Sequence, residues 1–345
     1  MSNKFKFPKK NNLEWLRLLF ALQVMTMHAS EHLGFSIPQV FQNFPGVPAF
    51  FFVSGFLIYA SYLNAPGFRY FQNRFLRLFP GLLFVTCGSL VVVVVAKGVH
   101  FLFEHSTIFA VWFLAQISLG QTYNPTIFRE IGVGVLNGSL WTITTEILFY
   151  LIVPILALLE KRFRHAVLVL SILSFVTYAV GPSYLNQKIF GAKSVHEILS
   201  ITPITWGWTF GLGILSFRYF AKLSVIMPYF LWLLLPMVVM ISIGEGVLWG
   251  STGNRLGLVY FVCYIAIVLW IAFELPPVTL SFDLSYGTYV WHMPVINLML
   301  VLSFKSFAMV ACLTLFLATV SWFLIEKPML SLKRNSLRSL RGAKL

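Results

Sequence analysis

Arg17 and His28 lie eleven residues apart in the first apolar segment of the chain, Leu13-Glu14-Trp15-Leu16-Arg17 through Met27-His28. A cation or an imidazole is costly in lipid, and where one occurs it faces a protein interior or a water-filled cavity. Eleven residues at about 100° each make three helical turns plus roughly 20°, so both groups share one helix face, about 16 Å apart along the axis. That face carries a charge at one end and a proton acceptor at the other. It can anchor an anionic ligand and perform acid–base chemistry on the ligand's far end.

Other candidates sit near the ends of apolar stretches. Arg74 and Arg77, in Arg69-Tyr70-Phe71-Gln72-Asn73-Arg74-Phe75-Leu76-Arg77-Leu78-Phe79-Pro80, share a face on a helix. Two guanidiniums at i and i+3 can clamp a phosphate with bidentate bonds. The competing reading is ordinary positive charge in an inner loop. Glu146 falls about two turns into the fourth apolar stretch, where a carboxylate must pair or stay protonated. A structural ion pair with an arginine is the alternative there. His292 precedes Pro294 in the ninth stretch, and a hydrogen-bonded interior histidine is its plainer reading. Glu326, at the end of the tenth, reads equally well as a membrane-edge residue. His28 and His32 stand at i and i+4, but no Glu follows His28 in the zincin manner and no third ligand is evident, so the expectation is no metal. Cys87, Cys263 and Cys312 are far apart and suggest no disulfide framework.

The elements that must position these residues are helices in a bilayer. The chain has 345 residues, is 58% hydrophobic and only 10% charged, with mean hydropathy +0.83. Soluble domains carry roughly 25% charged residues. The expected fold is an all-α integral membrane protein with about ten transmembrane helices, read from runs of about 18 or more mostly apolar residues. These are Leu13–His32, Phe44–Leu63, Leu78–Ala96, Ser139–Leu159, Ala166–Gly181, Ile201–Phe217, Met227–Ile243, Leu256–Phe273, Leu280–Leu302 and Phe307–Ile325. Thr107–Leu119 is too short to span comfortably and is a candidate re-entrant segment. With both termini cytoplasmic, inner segments hold eighteen of the 25 basic residues and outer segments six, and Arg17 lies within a span. That is the positive-inside bias. A full span at Thr107–Leu119 would put the Glu160–Arg164 cluster outside. The net charge of +14 is accounted for by topology and attraction to anionic lipid, without nucleic acid. The basic N-terminus followed by an apolar run is a retained first span, because Glu14, Arg17, Gln23 and His28 interrupt it. The whole chain, 1–345, reads as a single membrane domain: an N-tail 1–12, a bundle 13–325 and a basic tail 326–345. Buried ionisable groups and broken spans also describe transporters, so a glycolipid flippase or exporter stays open as an alternative.

An ordered set of motifs resembles the acyltransferase-3 family of membrane O-acyltransferases. Arg17 and His28 are similar to the family's Arg-x10-His motif of the first span. Phe51-Phe52-Val53-Ser54-Gly55-Phe56-Leu57-Ile58 resembles its second-span signature, and Arg74-x-x-Arg77-x-x-Pro80 its Arg-x-x-Arg-x-x-Pro element. Leu140-Trp141-Thr142-Ile143-Thr144-Thr145-Glu146 with Phe149-Tyr150 resembles the Leu-Trp-Ser-x-x-x-Glu-x-x-Phe-Tyr block. Tyr286-Gly287-Thr288-Tyr289-Val290-Trp291-His292 and Glu326-Lys327-Pro328 resemble the closing motifs. The set runs in order from Leu13 to Pro328. The chain departs from the family with Glu14-Trp15 in place of Asp-Gly and Thr142 in place of Ser, and no fused extracytoplasmic esterase-like domain is expected.

The resemblance implies transfer of an acyl group, most often acetyl, from acyl-CoA to a hydroxyl of an envelope glycan, an exopolysaccharide or a lipid-linked precursor. It implies a multi-pass protein of the bacterial plasma membrane, with acetyl-CoA or another acyl-CoA as co-substrate. Arg17, Arg74 and Arg77 would hold the CoA phosphates, and His28 would act as general base, its ordinary pKa near 6.5 suiting the task. Glu146 or His292 would orient it. Ser54, Trp141, Tyr150 and Tyr289 would support the site. Direct attack and an acyl-enzyme step both remain open.

Overall fold

The computed structural model describes residues 7–185, 188–190, 193–254 and 256–332. Lys4, Lys6, Arg255 and the basic tail from Lys333 onward, which carry part of the expected charge asymmetry, lie outside the described residues. The chain is helical almost throughout. In order it forms α1 (Leu13–Leu33), α2 (Val40–Asn43), α3 (Gly46–Asn64), α4 (Phe68–Lys97), α5 (Val99–Glu104), α6 (Ser106–Leu119), α7 (Trp141–Arg162) and α8 (Ala166–Tyr184). A two-stranded antiparallel hairpin follows, β1 (Lys188–Phe190) with β2 (Lys193–Ser194). Then come α9 (Val195–Leu199), α10 (Pro203–Arg218), α11 (Phe220–Ile226), α12 (Leu234–Ile243), α13 (Leu258–Phe273), α14 (Ser285–Val301) and α15 (Phe307–Ser321).

Among the described residues, six helices are long and apolar enough to cross a membrane: Val40–Asn64, Phe68–Lys97, Gly138–Arg162, Val195–Arg218, Phe220–Ile243 and Phe307–Leu332. The expected count of about ten is therefore not reached on length and composition. Ala166–Gly181 and Leu258–Phe273 are apolar but shorter. α1 carries Glu14, Arg17 and Glu31, and α14 has only 17 residues with several polar ones. Thr107–Leu119 forms α6, whose 14 residues extend about 21 Å, short of a hydrocarbon core of roughly 30 Å. α4 begins ten residues before the expected span, so Arg74 and Arg77 ride on the helix itself rather than on a loop.

Contacts group the chain into two units. The first comprises Met1–Val24, Ile37–Pro66 and Thr145–Ser281. Its centre is α10, which packs against α3 on one side and α8 on the other. Glycine permits both approaches, since small residues let helix backbones close in where lipid offers no hydrophobic drive. A Cβ on Gly55 would strike the Phe210 carbonyl, and one on Gly213 the Phe52 carbonyl. Gly207 and Gly211, one turn apart, face Ser174 and Ser171 of α8, and Ser174 Oγ accepts from the Trp208 amide at 2.9 Å. Phe149 of α7 stacks on Phe210, ring centroids 3.9 Å apart. Asn12 ties the start of α1 to the end of α13: its Nδ2 donates to the Ile271 carbonyl at 3.0 Å, and its Oδ1 accepts from Val278 N at 2.7 Å.

The second unit comprises Met25–Ser36, Gly67–Thr144 and Phe282–Leu345. Here α14 is central, packed on α4 and α15. Gly81 of α4 receives the Tyr286 ring, and Gly88 two turns later receives the Trp291 indole. Gly287 lies against Ala318 of α15. Phe109, Trp112, Phe128, Ile131 and Leu136 close a hydrophobic core with Val92 and Val93 beneath the 120–140 loop. Lys97 and Glu130 pair at 2.8 Å on its surface. The lysine's hydrogen bond and charge hold the exposed Glu130 carboxyl below the usual range, but a pair this open contributes little stability.

Gly55→Val and Gly213→Val should each lower the melting temperature of the protein in detergent, by overpacking worth about 1–3 kcal/mol. Gly138→Ala, whose new carbon would meet nothing nearer than Met293 Cε at 3.7 Å, should leave it unchanged. Equal shifts in all three variants would show that the α3–α10 approach is not limiting.

Candidate active site

α14 carries Tyr286, Tyr289 and His292 within two turns, and its residues Ser285 through Asn297 are all buried. His292, with no exposed surface, meets His28 of α1: His28 Nδ1 and His292 Nε2 are 2.8 Å apart. The rings lie 22° from parallel with centroids 5.0 Å apart, close to the plane an imidazole–imidazole hydrogen bond requires. His292 Nδ1 is 3.4 Å from the Thr288 carbonyl. A carbonyl only accepts, so Nδ1 of His292 carries hydrogen and its Nε2 is bare. His28 Nδ1–H therefore donates to it, and the nitrogen left without hydrogen is Nε2 of His28. The half-buried His28 thus presents a lone pair, and His292 holds it in that tautomer. His32, one turn on, keeps its ring 6.1 Å from His28.

A polar scaffold surrounds α14. Tyr289 sets its ring edge-on to His292, centroids 5.8 Å apart, and its hydroxyl meets Thr142 Oγ1 at 2.8 Å. Thr142 donates to the Ser139 carbonyl at 3.0 Å and so accepts from Tyr289. Asn137 Nδ2 donates to the Val290 carbonyl at 2.9 Å. Asn297 Nδ2 reaches the Val135 and Leu136 carbonyls, and its Oδ1 accepts from Val133 N at 2.8 Å. These amides pin the 133–139 loop to α14 on either side of His292. Thr288 Oγ1 and Trp291 Nε1 are buried with no hydrogen-bond partner among the described residues.

The arginine pair is partly accounted for. Arg77 Nη2 donates to Asp283 Oδ2 at 2.8 Å. Asp283 Oδ1 meanwhile accepts from the Ser285 amide at 3.2 Å, closing the first turn of α14. Arg74 lies half-buried on the same helix. Glu326 is no solvated edge residue: a π-helical turn, Trp322–Glu326, swings it inward, where it accepts from Ser321 Oγ at 2.7 Å and lies 4% exposed. Such bulges recur at functional sites.

Of the residues expected from the sequence, the structure brings together His28 and His292, with Tyr289 beside His292. Trp141, Arg74 and Arg77 share their unit. Arg17, Ser54, Glu146 and Tyr150 belong to the other unit. There Tyr150 donates its hydroxyl to Glu146 Oε1 from one turn on, so the Glu146 carboxyl has a phenol partner on its own helix. Arg17 and Ser54 are half-buried on α1 and α3. Asp283, Asn137, Asn297 and the inward turn of Glu326 were not foreseen. Only Asp283 had a sequence signal, an acid two residues before a serine at a helix start.

Comparison with known proteins identifies the family. The acyltransferase-3 family, described as an acyltransferase domain, matches residues 10–327. The chain is 30% identical to nodulation protein 10 of Rhizobium leguminosarum bv. viciae, over 97% of each chain. It is 25% identical to a protein named O-acetyl transferase from Shigella phage Sf6, over 94% of this chain and 97% of that one. No solved structure matches it. With the match spanning nearly its whole length, the chain belongs to the acyltransferase-3 family and is a multi-pass membrane acyltransferase.

Proposed function

We propose that the protein moves an acyl group, acetyl in the first instance, from cytoplasmic acyl-CoA to a hydroxyl of a cell-envelope glycan, an exopolysaccharide or a lipid-linked precursor of either. In this reading it sits in the bacterial plasma membrane with both termini cytoplasmic, consistent with the excess of basic residues in the inner segments. The observation that carries the reading is the His28–His292 hydrogen bond at 2.8 Å, which leaves one imidazole nitrogen poised as a base. The name of the Shigella phage relative, O-acetyl transferase, supports acetyl as the group and oxygen as its destination.

The chemistry follows from that nitrogen. His28 Nε2 takes the proton of the acceptor hydroxyl as its oxygen attacks the thioester carbonyl. The tetrahedral centre collapses, the carbon–sulfur bond breaks, and the CoA sulfur leaves with the proton returned from His28. His292 Nε2, accepting from His28 Nδ1, stabilises the transient imidazolium and fixes its ring. Arg74 binds donor phosphates. Arg77, held by Asp283, offers its remaining guanidinium donors.

Purified protein given radiolabelled acetyl-CoA and a crude envelope-glycan extract should label the glycan. His28→Ala should reduce the rate by about 10²–10⁴-fold, the usual worth of a general base. His292→Ala should cost less and act on kcat, leaving KM for acetyl-CoA unchanged. Transfer by His28→Ala at the parent rate would sink the base assignment.

A ligand that binds only the folded state raises the melting temperature, so acetyl-CoA should stabilise the parent in detergent. Arg74→Ala should weaken that effect, with acetyl-CoA binding about 10–100-fold poorer for a lost charge-assisted bond. Arg77→Ala should lower the melting temperature even without ligand, and adding Asp283→Asn should recover part of that loss. A dissociation constant untouched by Arg74→Ala would remove Arg74 from the phosphate site.

A further inference from the structure

In the first unit, α8 runs from the cations Lys161, Arg162 and Arg164 to Tyr178, and α10 runs back from Thr205 to Arg218. At the end away from those cations lies a cavity of about 470 Å³, within the roughly 300–1,000 Å³ of small-ligand pockets. Its walls include Tyr178, Trp206, Ser200, His196, Glu245 and Asn254. The aromatic wall is fixed. Trp206 Nε1 donates to the Ser200 carbonyl at 2.7 Å, Tyr178 Oη donates to the Asn254 carbonyl at 2.8 Å, and the two rings stand 5.8 Å apart. The side chains of His196, Glu245 and Asn254 differ: among the described residues none makes a hydrogen bond. The cavity thus pairs a rigid aromatic side with an imidazole, a carboxylate and a carboxamide whose capacity is unspent.

That combination suits a sugar. The C–H face of a pyranose packs on aromatic rings, vicinal hydroxyls donate to a carboxylate, and an amide donates to hydroxyl or ring oxygens. A wholly apolar ligand would bury the carboxylate unpaired, and an acidic one would meet Glu245 with like charge. We propose that this cavity binds a neutral sugar unit of the acceptor glycan, on the extracytoplasmic side. The inference rests on the glycan acceptor read above, and it assigns acceptor recognition to residues outside the histidine pair.

Saturation-transfer NMR on the full protein in lipid nanodiscs, with no acyl donor present, tests it. Maltose, cellobiose and N-acetyllactosamine serve as neutral probes, with a glucuronate-containing disaccharide as the acidic one. At least one neutral probe should receive saturation and the acidic one should not. Glu245→Ala with Asn254→Ala, both at exposed positions, should weaken neutral binding about tenfold or more, as the loss of two hydrogen bonds requires. Glu245→Gln should keep it and admit the glucuronate. No signal from any neutral probe, or equal signals from parent and double variant, would overturn the proposal. Sugar binding without acetyl transfer would discard the enzymatic reading and keep the pocket. Transfer at full rate without sugar binding would do the opposite.

Discussion

The hydrogen bond between His28 and His292 constrains the second unit. Each neutral imidazole has one donor and one acceptor, and the fully buried ring of His292 cannot turn to water for a substitute. The Thr288 carbonyl settles the tautomer of His292, and His292 settles that of His28. A hydrogen bond of this kind tolerates only small displacements before it weakens. α14 must therefore be held in depth and rotation along its length. Gly81 and Gly88 admit Tyr286 and Trp291 from α14 at two levels of α4, Gly287 lets α15 close in behind, and Asn137 and Asn297 fasten the loop on either side. A buried polar group left unsatisfied costs about 1–3 kcal/mol. Two asparagines saturated by backbone groups thus make the loop and the helix a single piece.

The same demand marks the two helices that carry the histidine pair. α1 and α14 carry the histidine pair, and both fall outside the six helices that are long and apolar enough to cross. A helix that must present Arg17, His28 and His32, or Ser285, Thr288, His292 and Asn297, gives up apolar residues to do so. α3, α4 and α7 carry their polar residues on helices that are otherwise apolar, and they satisfy the test without difficulty.

That contrast also divides what the sequence disclosed. An imidazole and a guanidinium inside an apolar run are visible to anyone who reads the chain, because lipid makes them conspicuous. The ordered motifs supplied the class of reaction. The partner of His28 was open between Glu146 and His292, since both are ionisable groups in apolar stretches and neither spacing nor composition relates α1 to helices more than a hundred residues away. Only packing decides that, through where a glycine lets a tryptophan or tyrosine sit. Glu326 shows the limit within one helix. A uniform 3.6-residue turn leaves it at the boundary, whereas one π-helical turn rotates the carboxylate inward to Ser321. Nothing in Trp322-Phe323-Leu324-Ile325 announces that turn.

Arg77 illustrates how a motif's spacing can be right and its division of labour unstated. On α4, Arg74 and Arg77 are one turn apart, as a phosphate clamp requires. Yet Arg77 has given one edge of its guanidinium to Asp283, whose other oxygen caps the first turn of α14. A guanidinium offers five donors in a fixed plane, so the pairing orients Arg77 without exhausting it. The ion pair therefore couples the helix that bears the arginines to the start of the helix that bears His292. In the proposed reading, occupation of the arginines by an anion acts on the element that sets the tautomer of His28. Lysine at position 77 would keep the charge and lose that coupling, because a point charge cannot hold a carboxylate and a phosphate in one plane.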